Sequence, residues 1–361
     1  MRLGVFMQSY TSDHNFGCAH FLRGLVRELL DLGHDVQIFC PATSSVTAKA
    51  QEISGDLLLA QTQSPYPNII AVLFDSHFLD LEHCLTRLDA VLVNEWIDDG
   101  IARRIGEFGT TNGGLVTLYY DTHHRVVTAT EELRTAGVDC YSRILVLAES
   151  VERAYVKRSL ATRITVFPEA VDEKHFKRST TRSGSGAVVW IGNYGNDERG
   201  ESLVLALTGS AGHDLRVECY GAGFPPYVVD RLLLASVRFR GWIPNTHVPD
   251  IAAGALWILH VPRAPYVQEL AGVPNIRPFE AAGLGVPLVV ISAAPLGAPF
   301  VPDMHYRLFP TVDQYLNSVG ELVNNRHGLE MMAERAHQLV MSGHTCRERA
   351  RALVGIILNH R

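Results

Sequence analysis

The sequence predicts an α/β protein made of two Rossmann-like domains, and three observations lead there. Short apolar runs rich in Val, Ile and aromatic residues alternate with stretches of helical periodicity, the pattern of parallel strands joined by crossover helices. The alternation stops near residue 172 and starts again near 186. The 361 residues are 47% apolar, which suffices for two cores at about 100 to 200 residues per domain.

In the first half, buried strands are expected at 3–7, 35–40, 68–74, 90–93, 115–120, 144–147 and 164–167. The clearest helix follows the first strand: Phe21, Leu22, Leu25, Val26, Leu29 and Leu30 recur at three- and four-residue steps before Gly33 supplies a stop. Strand, glycine-bearing loop, helix, strand is a Rossmann-type opening. The run DEKHFKRSTTRSGSG has no apolar periodicity, which makes 172–185 the expected linker between a domain at 1–171 and one at 186–343. Strands then resume at 187–191, 215–220, 237–239, 256–260 and 287–291, and after about Val312 the pattern is helical to the end. A last helix at 344–361 carries Ala350, Leu353, Ile356 and Ile357 on one face.

Composition narrows the function. Lys and Arg number 32 against 38 Asp and Glu, a net charge of −6, whereas a dedicated nucleic-acid binder needs a basic surface to displace counterions. The six cysteines stand singly, without zinc or disulfide spacing, so a reducing cytoplasm is expected. The start MRLGVFMQSY lacks the apolar core of a signal peptide. The uncharged stretch 281–302 is long enough to span a bilayer, but its repeated Gly and Pro residues divide it into helix end, strand and loop.

Chemistry concentrates in GVPNIRPFEAAGLGVPLVV, residues 272–290. Loop amides and a helix N-terminus suit a diphosphate, Arg277 suits bidentate pairing with it, and Glu280 one turn later suits the two hydroxyls of a ribose. The plain alternative is a Glu280 that caps its helix, solvated by Arg277.

Residues 186–357 resemble the C-terminal, donor-binding domain of GT-B glycosyltransferases, particularly the group related to the spore-maturation protein CgeB. The resemblance rests on Arg277, Glu280 and Ala281 followed by Gly285 to Pro287, and on a last helix opening with His344 and Thr345 and carrying Arg347 and Arg349. In the same order, VVWIGNYGNDERGE, YGAGFP and FRGWIPNTHVPDIAAGALWILH resemble the segments that open the donor domain, form its next strand and turn, and lie against the base. It implies a GT-B fold, two Rossmann-like domains facing across a cleft, with the final helix crossing back to the first domain. It also implies donor contacts from Gly192, Asn193, Arg199, Gly221, Gly241, Trp242, Asn275, Ile276, Arg277 and Glu280. One departure stands out: many retaining members carry a glutamate eight positions before Glu280, where this chain has Gly272.

Other signatures are weaker. Gly221-Ala222-Gly223 lacks the third glycine of a dinucleotide fingerprint, Pro226 standing in its place, and no G-x-x-x-x-G-K-[ST] occurs. The acidic clusters Asp80-Leu81-Glu82, Asp98-Asp99 and Glu131-Glu132 read as solvated helix faces, and no metal site is expected.

In the first half, the resemblance places Asn15, Gly17 and His20 beside the cleft, with His20 among the catalytic candidates; a first-turn His20 that only caps is the alternative. NEW, Asn94 to Trp96, ends a strand and could put Glu95 on the acceptor side, although a core-edge tryptophan is the plainer explanation of the segment. YYDTHHR, 119–125, follows a buried strand directly. There Asp121 is expected to orient a ring nitrogen of His123, a general base for the attacking hydroxyl, or to be that base itself, while His124 packs or caps the next helix.

The expected function is therefore metal-independent, retaining transfer of a sugar from a UDP-, GDP- or dTDP-sugar to a glycan, lipid-linked or small-molecule hydroxyl, with no cofactor. Contact with the inner membrane surface stays open through a lipid-linked acceptor. The rival readings are a sugar-nucleotide 2-epimerase or hydrolase of the same fold, and an inactive nucleotide-sugar binding module.

Overall fold

The computed structural model describes residues 1–10, 17–42, 66, 71–178, 186–195 and 198–360. It divides into two compact units, Met1–Glu169 together with Cys346–Arg361, and Ala170–Thr345.

The first unit is built on β1 (Arg2–Phe6), β2 (Asp35–Pro41), β3 (Ala71–Phe74), β4 (Ala90–Asn94), β5 (Val116–Asp121), β6 (Arg143–Val146) and β7 (Ile164–Val166). They form one seven-stranded sheet in the order β3-β2-β1-β4-β5-β6-β7, parallel throughout. Every residue of β4 and β5 is buried, as parallel strands covered on both faces require. Helices α1 (Ala19–Asp31), α2 (Leu81–Leu85), α3 (Asp99–Thr111), α4 (Arg125–Thr128), α5 (Thr130–Thr135) and α6 (Glu149–Lys157) join the strands. The stripe on α1 is fully buried at Phe21, Leu22, Leu25, Val26 and Leu29, and the helix ends just before Gly33.

The second unit repeats the plan with β8 (Val188–Ile191), β9 (Val217–Tyr220), β10 (Arg238–Gly241), β11 (Trp257–His260), β12 (Leu288–Ile291) and β13 (Arg307–Phe309). The order β10-β9-β8-β11-β12-β13 again reverses at the first strand, so the topological switch lies between β8 and β11. Its helices are α7 (Gly200–Gly212), α8 (Pro226–Leu234), α9 (Val248–Ala252), α10 (Ala264–Gln268), α11 (Ile276–Leu284), α12 (Val312–Asn324) and α13 (Arg326–Gly343). Trp190, Trp257, Leu203, Leu207 and Tyr315 share its core, where the Tyr315 hydroxyl meets Ser210 Oγ at 2.7 Å. The last helix, α14 (Cys346–Leu358), belongs to the first unit and packs on α1.

Three details depart from the sequence reading. The chain leaves the first unit at Glu169, and Asp172 and Phe176, assigned to a linker, are buried in the second unit. Asp172 Oδ1 accepts the amides of Lys174 and His175, so a polar stretch without periodicity folds as a side-chain-capped turn. The three-residue strand β13 was not foreseen, being too short to show a period. Of the expected 68–74 strand, residues 68–70 lie outside those described. No described helix is long and apolar enough to cross a membrane, and 281–302 divides into the end of α11, β12 and a loop.

Candidate functional site

In the second unit the expected donor residues lie at the C-terminal ends of β8, β9 and β10 and on the first turns of α11. Gly192 follows β8, and its amide donates to Tyr220 O at 3.0 Å. Gly221 follows β9, and its amide donates to Gly241 O at 2.8 Å. Trp242 follows β10 and is partly buried. Asn275 is the N-cap of α11 but makes no side-chain cap bond, which leaves the first-turn amides of Ile276 and its neighbours uncapped by that side chain.

Arg277 and Glu280 lie one turn apart on α11 and form an ion pair, with Glu280 fully buried. Arg199, just before α7, donates Nε to Val261 O at 2.8 Å and Nη1 to Asn193 O, tying the turn after β8 to the exit of β11. Arg263 pairs with Glu198 at 3.0 Å. A Cβ placed on Gly195 would lie 3.1 Å from Arg199 Nη1 and 3.2 Å from Arg263 Cζ, so the two guanidinium groups flank one turn. Burial, reinforced by Arg263, holds Arg199 down at about 9. His260, at the end of β11, is pushed down to about 3 by burial and then by Arg199 and Arg277, so it is neutral at physiological pH. Three arginines and a neutral imidazole thus surround the switch point of the sheet. An anion entering there would relieve their mutual repulsion.

Arg263, Glu198 and His260 were missed in the sequence. His260 alone carried a signal, as the polar last residue of the core strand WILH.

Gly272 has φ +84°, and its backbone faces Gly297, whose added Cβ would fall 1.9 Å from Gly272 O. A glutamate at 272 would meet the strain of that left-handed backbone, although its Cβ would stand at an ordinary 3.6 Å from Gly297 Cα. The missing acid is therefore built into the backbone path.

In the first unit the polar residues cluster where β4 and β5 end. Asp121 is fully buried: Oδ1 accepts the backbone amide of His123 at 3.0 Å and Oδ2 accepts the Tyr155 hydroxyl at 2.6 Å. This corrects the expected arrangement, since Asp121 fixes the His123 backbone rather than a ring nitrogen, and both its oxygens are engaged. Burial holds its carboxyl above the usual range, with Tyr155 and the amide pulling against that. The His123 ring is partly exposed, edge-on to Trp96 at 5.0 Å between centroids and tilted against His124 at 3.7 Å. His124 is buried, stands at the N-cap of α4 and bonds Thr128 Oγ1 through Nδ1 at 2.9 Å.

Glu95 is buried beside Asn94 and Thr122. His20 is buried on the first turn of α1, whose N-cap is Cys18, and Gly17 is exposed just before it. Asn15 lies outside the described residues. The acidic clusters do structural work: Asp98 accepts the amides of Gly100 and Ile101, while Asp99 and Glu132 both hold Arg125. Among the described residues no group of three or more His, Cys, Asp or Glu could hold a metal ion.

Two parallel sheets of this order in one chain define the GT-B fold class, and comparison with known structures agrees. Sucrose-phosphate synthase from Thermosynechococcus elongatus superposes with TM-score 0.72 at 12% identity, covering 99% of this chain and 98% of the other. HepE of Anabaena, in complex with UDP and glucose, gives 0.70 at 12% identity over 99% of both chains. An alpha-glucosyltransferase in complex with UDP and a 13-mer DNA containing an HMU base gives 0.70 at 12% identity over 99% of both. Residues 199–355 match the family described as glycosyl transferase-like. No curated protein sequence matches the chain.

Proposed function

We propose that the protein is a glycosyltransferase of the CgeB-like group, moving a sugar from a nucleotide-sugar donor to a hydroxyl acceptor. The observation that carries this is the convergence of Arg199, Arg263 and Arg277 with the N-terminus of α11 at the switch point of the second sheet. A donor diphosphate draws Arg277 from its partner, and the ribose hydroxyls take Glu280 in exchange. These guanidinium groups and the amides near Gly192 and Asn275 stabilise the leaving diphosphate, so the reading assigns no charge-neutralising step to a metal. UDP is the first nucleotide to test, because HepE holds it on the same fold. Transfer proceeds with retention in this reading, in the cytoplasm, onto a glycan, lipid-linked or small-molecule hydroxyl. The left-handed backbone at Gly272 favours a second reading, a nucleotide-sugar binding module without transfer, which binding with no turnover of any acceptor would reveal.

Calorimetric titration with UDP tests the donor site. Glu280→Gln is expected to lose about 1.5 to 3 kcal/mol of affinity, the worth of a hydrogen bond to a charged group. Unchanged affinity removes the assignment. Arg277→Ala is expected to lose more affinity for UDP than for uridine, and equal losses place Arg277 away from the phosphates.

The loop carrying His123 holds the acceptor in this reading. His123→Ala is therefore expected to abolish transfer while UDP affinity stays within twofold, and His124→Ala, whose buried ring bonds Thr128 Oγ1, to be milder. Joint loss of binding and transfer in His123→Ala means that the loop shapes the donor pocket instead.

A further inference from the structure

We infer that Glu95 takes the proton of the attacking acceptor hydroxyl, with the Thr122 side chain as the relay between them. The inference rests on the glycosyl-transfer reading and adds to it the proton's destination.

Glu95 follows β4 directly, and its backbone is pinned by an amide bond to Tyr120 O at 3.1 Å. Only 1% of it is exposed, so no substrate reaches its carboxyl directly. Oε1 accepts a short hydrogen bond from Thr122 Oγ1, and Oε2 accepts from Asn94 Nδ2 at 2.5 Å. Thr122, the first residue past β5, is partly exposed. The hydroxyl thus bonds the buried carboxyl from a partly exposed residue at the end of the strand, and its oxygen also lies 3.6 Å from Cys18 Sγ.

The bonds to this carboxyl come from the Thr122 hydroxyl, the Asn94 side-chain amide and the backbone of Glu95 and Thr122, not from a cation. Arg125 Nη1 donates to the Glu95 carbonyl oxygen, and the rest of its guanidinium serves Asp99 and Glu132. Burying a carboxylate on neutral donors is costly, and such groups gather where proton transfer is needed. Among the described residues, the other titratable and charged groups around it include Cys18 before α1, Tyr119, Tyr120 and Asp121 on β5, Arg125 on α4 and Tyr155 on α6. Burial, then Asp121, pushes Glu95 up to about 8, against the pull of Thr122. A group poised there gains or loses a proton near neutral pH at little cost. Asp121 has no comparable outlet, since its oxygens hold Tyr155 and the amide of His123.

In the step itself the acceptor hydroxyl gives its proton to Thr122 Oγ1 as the Thr122 proton moves to Glu95 Oε1. The acceptor oxygen forms its bond to the anomeric carbon on the face from which the diphosphate departs, as retention requires; the bond from that carbon to the diphosphate oxygen breaks, and its electron pair leaves with the nucleoside diphosphate. Glu95 returns the proton to solvent by the reverse path.

The test uses the full chain with whichever of UDP-, GDP- and dTDP-glucose it binds, water as acceptor, and release of the nucleoside diphosphate as the readout. Glu95→Gln is expected to lower kcat by about 100-fold or more, the usual range for a lost general base, with donor Kd unchanged. In the wild type kcat is expected to fall as pH drops below about 8, and in Glu95→Gln that dependence disappears. Thr122→Val is expected to reproduce the loss, and Thr122→Ser to recover most of it.

The native state binds the Glu95 proton between the ordinary glutamate range and about 8, whereas the unfolded chain releases it. The group's contribution to stability therefore declines as pH rises through that window, and Glu95→Gln is expected to melt no lower than the wild type at pH 7. A kcat within twofold of wild type in Glu95→Gln or Thr122→Val overturns the inference, as does a wild type that binds a donor and never releases its diphosphate. Failure of the wild type to bind any of the three donors instead overturns the glycosyl-transfer reading beneath it.

Discussion

Removing residues 345–361 is expected to unfold the first unit while the second keeps its own melting transition. The last helix lies at the far end of the chain from α1, yet the two pack together, with Cys346, Ala350, Leu353 and Ile357 buried at 0 to 2% exposure. Burying Leu353 and Ile357 alone contributes about 1.5 to 3 kcal/mol each. Polar ties are lost as well: Arg349 Nε donates to Pro168 O at 2.8 Å, and Arg347 reaches Glu28, which is 2% exposed. Truncation leaves the Glu28 carboxylate, which also pairs with Arg27, on newly opened apolar surface. Against a domain stability of about 5 to 15 kcal/mol the combined loss is decisive. The second unit keeps its core around Trp190, Trp257 and Tyr315. Differential scanning calorimetry separates the outcomes: one transition lost and one retained is expected, and an unchanged thermogram would show that the helix contributes nothing.

The fold was legible because parallel sheets write themselves strongly. Runs such as AVLVN and VVWI are buried on both faces, so nearly every position is apolar, and the helices between them carry one-sided stripes. What failed had little hydrophobic pattern to show. Asp172 and Phe176 fold by turn bonds inside a stretch that looks like a linker, and β13 has three residues, of which only Phe309 is buried. The candidate site divides along the same line. Arg277 and Glu280 lie one helical turn apart, so their pairing follows from spacing alone.

The Glu95–Thr122 contact joins residues 27 positions apart from two different strands, and Tyr155 reaches Asp121 across 34. Only strand register brings such pairs together: Asn94 stands opposite Tyr120, which sets the two strand ends side by side. The partner chosen by Asp121 was wrong in the sequence reading for the same reason. A ring nitrogen two residues away looked like the nearest donor, but the backbone amide is closer and the tyrosine arrives from another helix.

Gly221→Ala is expected to cripple the second unit more than any other single methyl group added to a described glycine. Its φ is +154°, a region that side chains rarely adopt, and a Cβ there would fall 1.7 Å from Gly192 O. No rotamer relieves a clash between Cβ and backbone, so the turns after β8 and β9 must separate. Two bonds depend on their approach, Gly192 N to Tyr220 O and Tyr194 N to Ala222 O at 3.0 and 2.9 Å, and Gly221 N to Gly241 O at 2.8 Å ties the second turn to the end of β10. Strained backbone alone costs about 1 to 3 kcal/mol, and each buried group left unsatisfied about 1 to 3 more. The same turns supply the amides that the proposed donor diphosphate meets, so UDP affinity is expected to vanish with the melting transition of this unit, while the first unit's transition stays in place. Gly212→Ala, at the end of α7 with open space at its Cβ and an ordinary φ, is the control, expected within about 0.5 kcal/mol of wild type as for surface changes generally. Equal melting temperatures for Gly221→Ala and Gly212→Ala would mean that the two turns do not touch in solution, and the site at the ends of β8 and β9 would have to be redrawn.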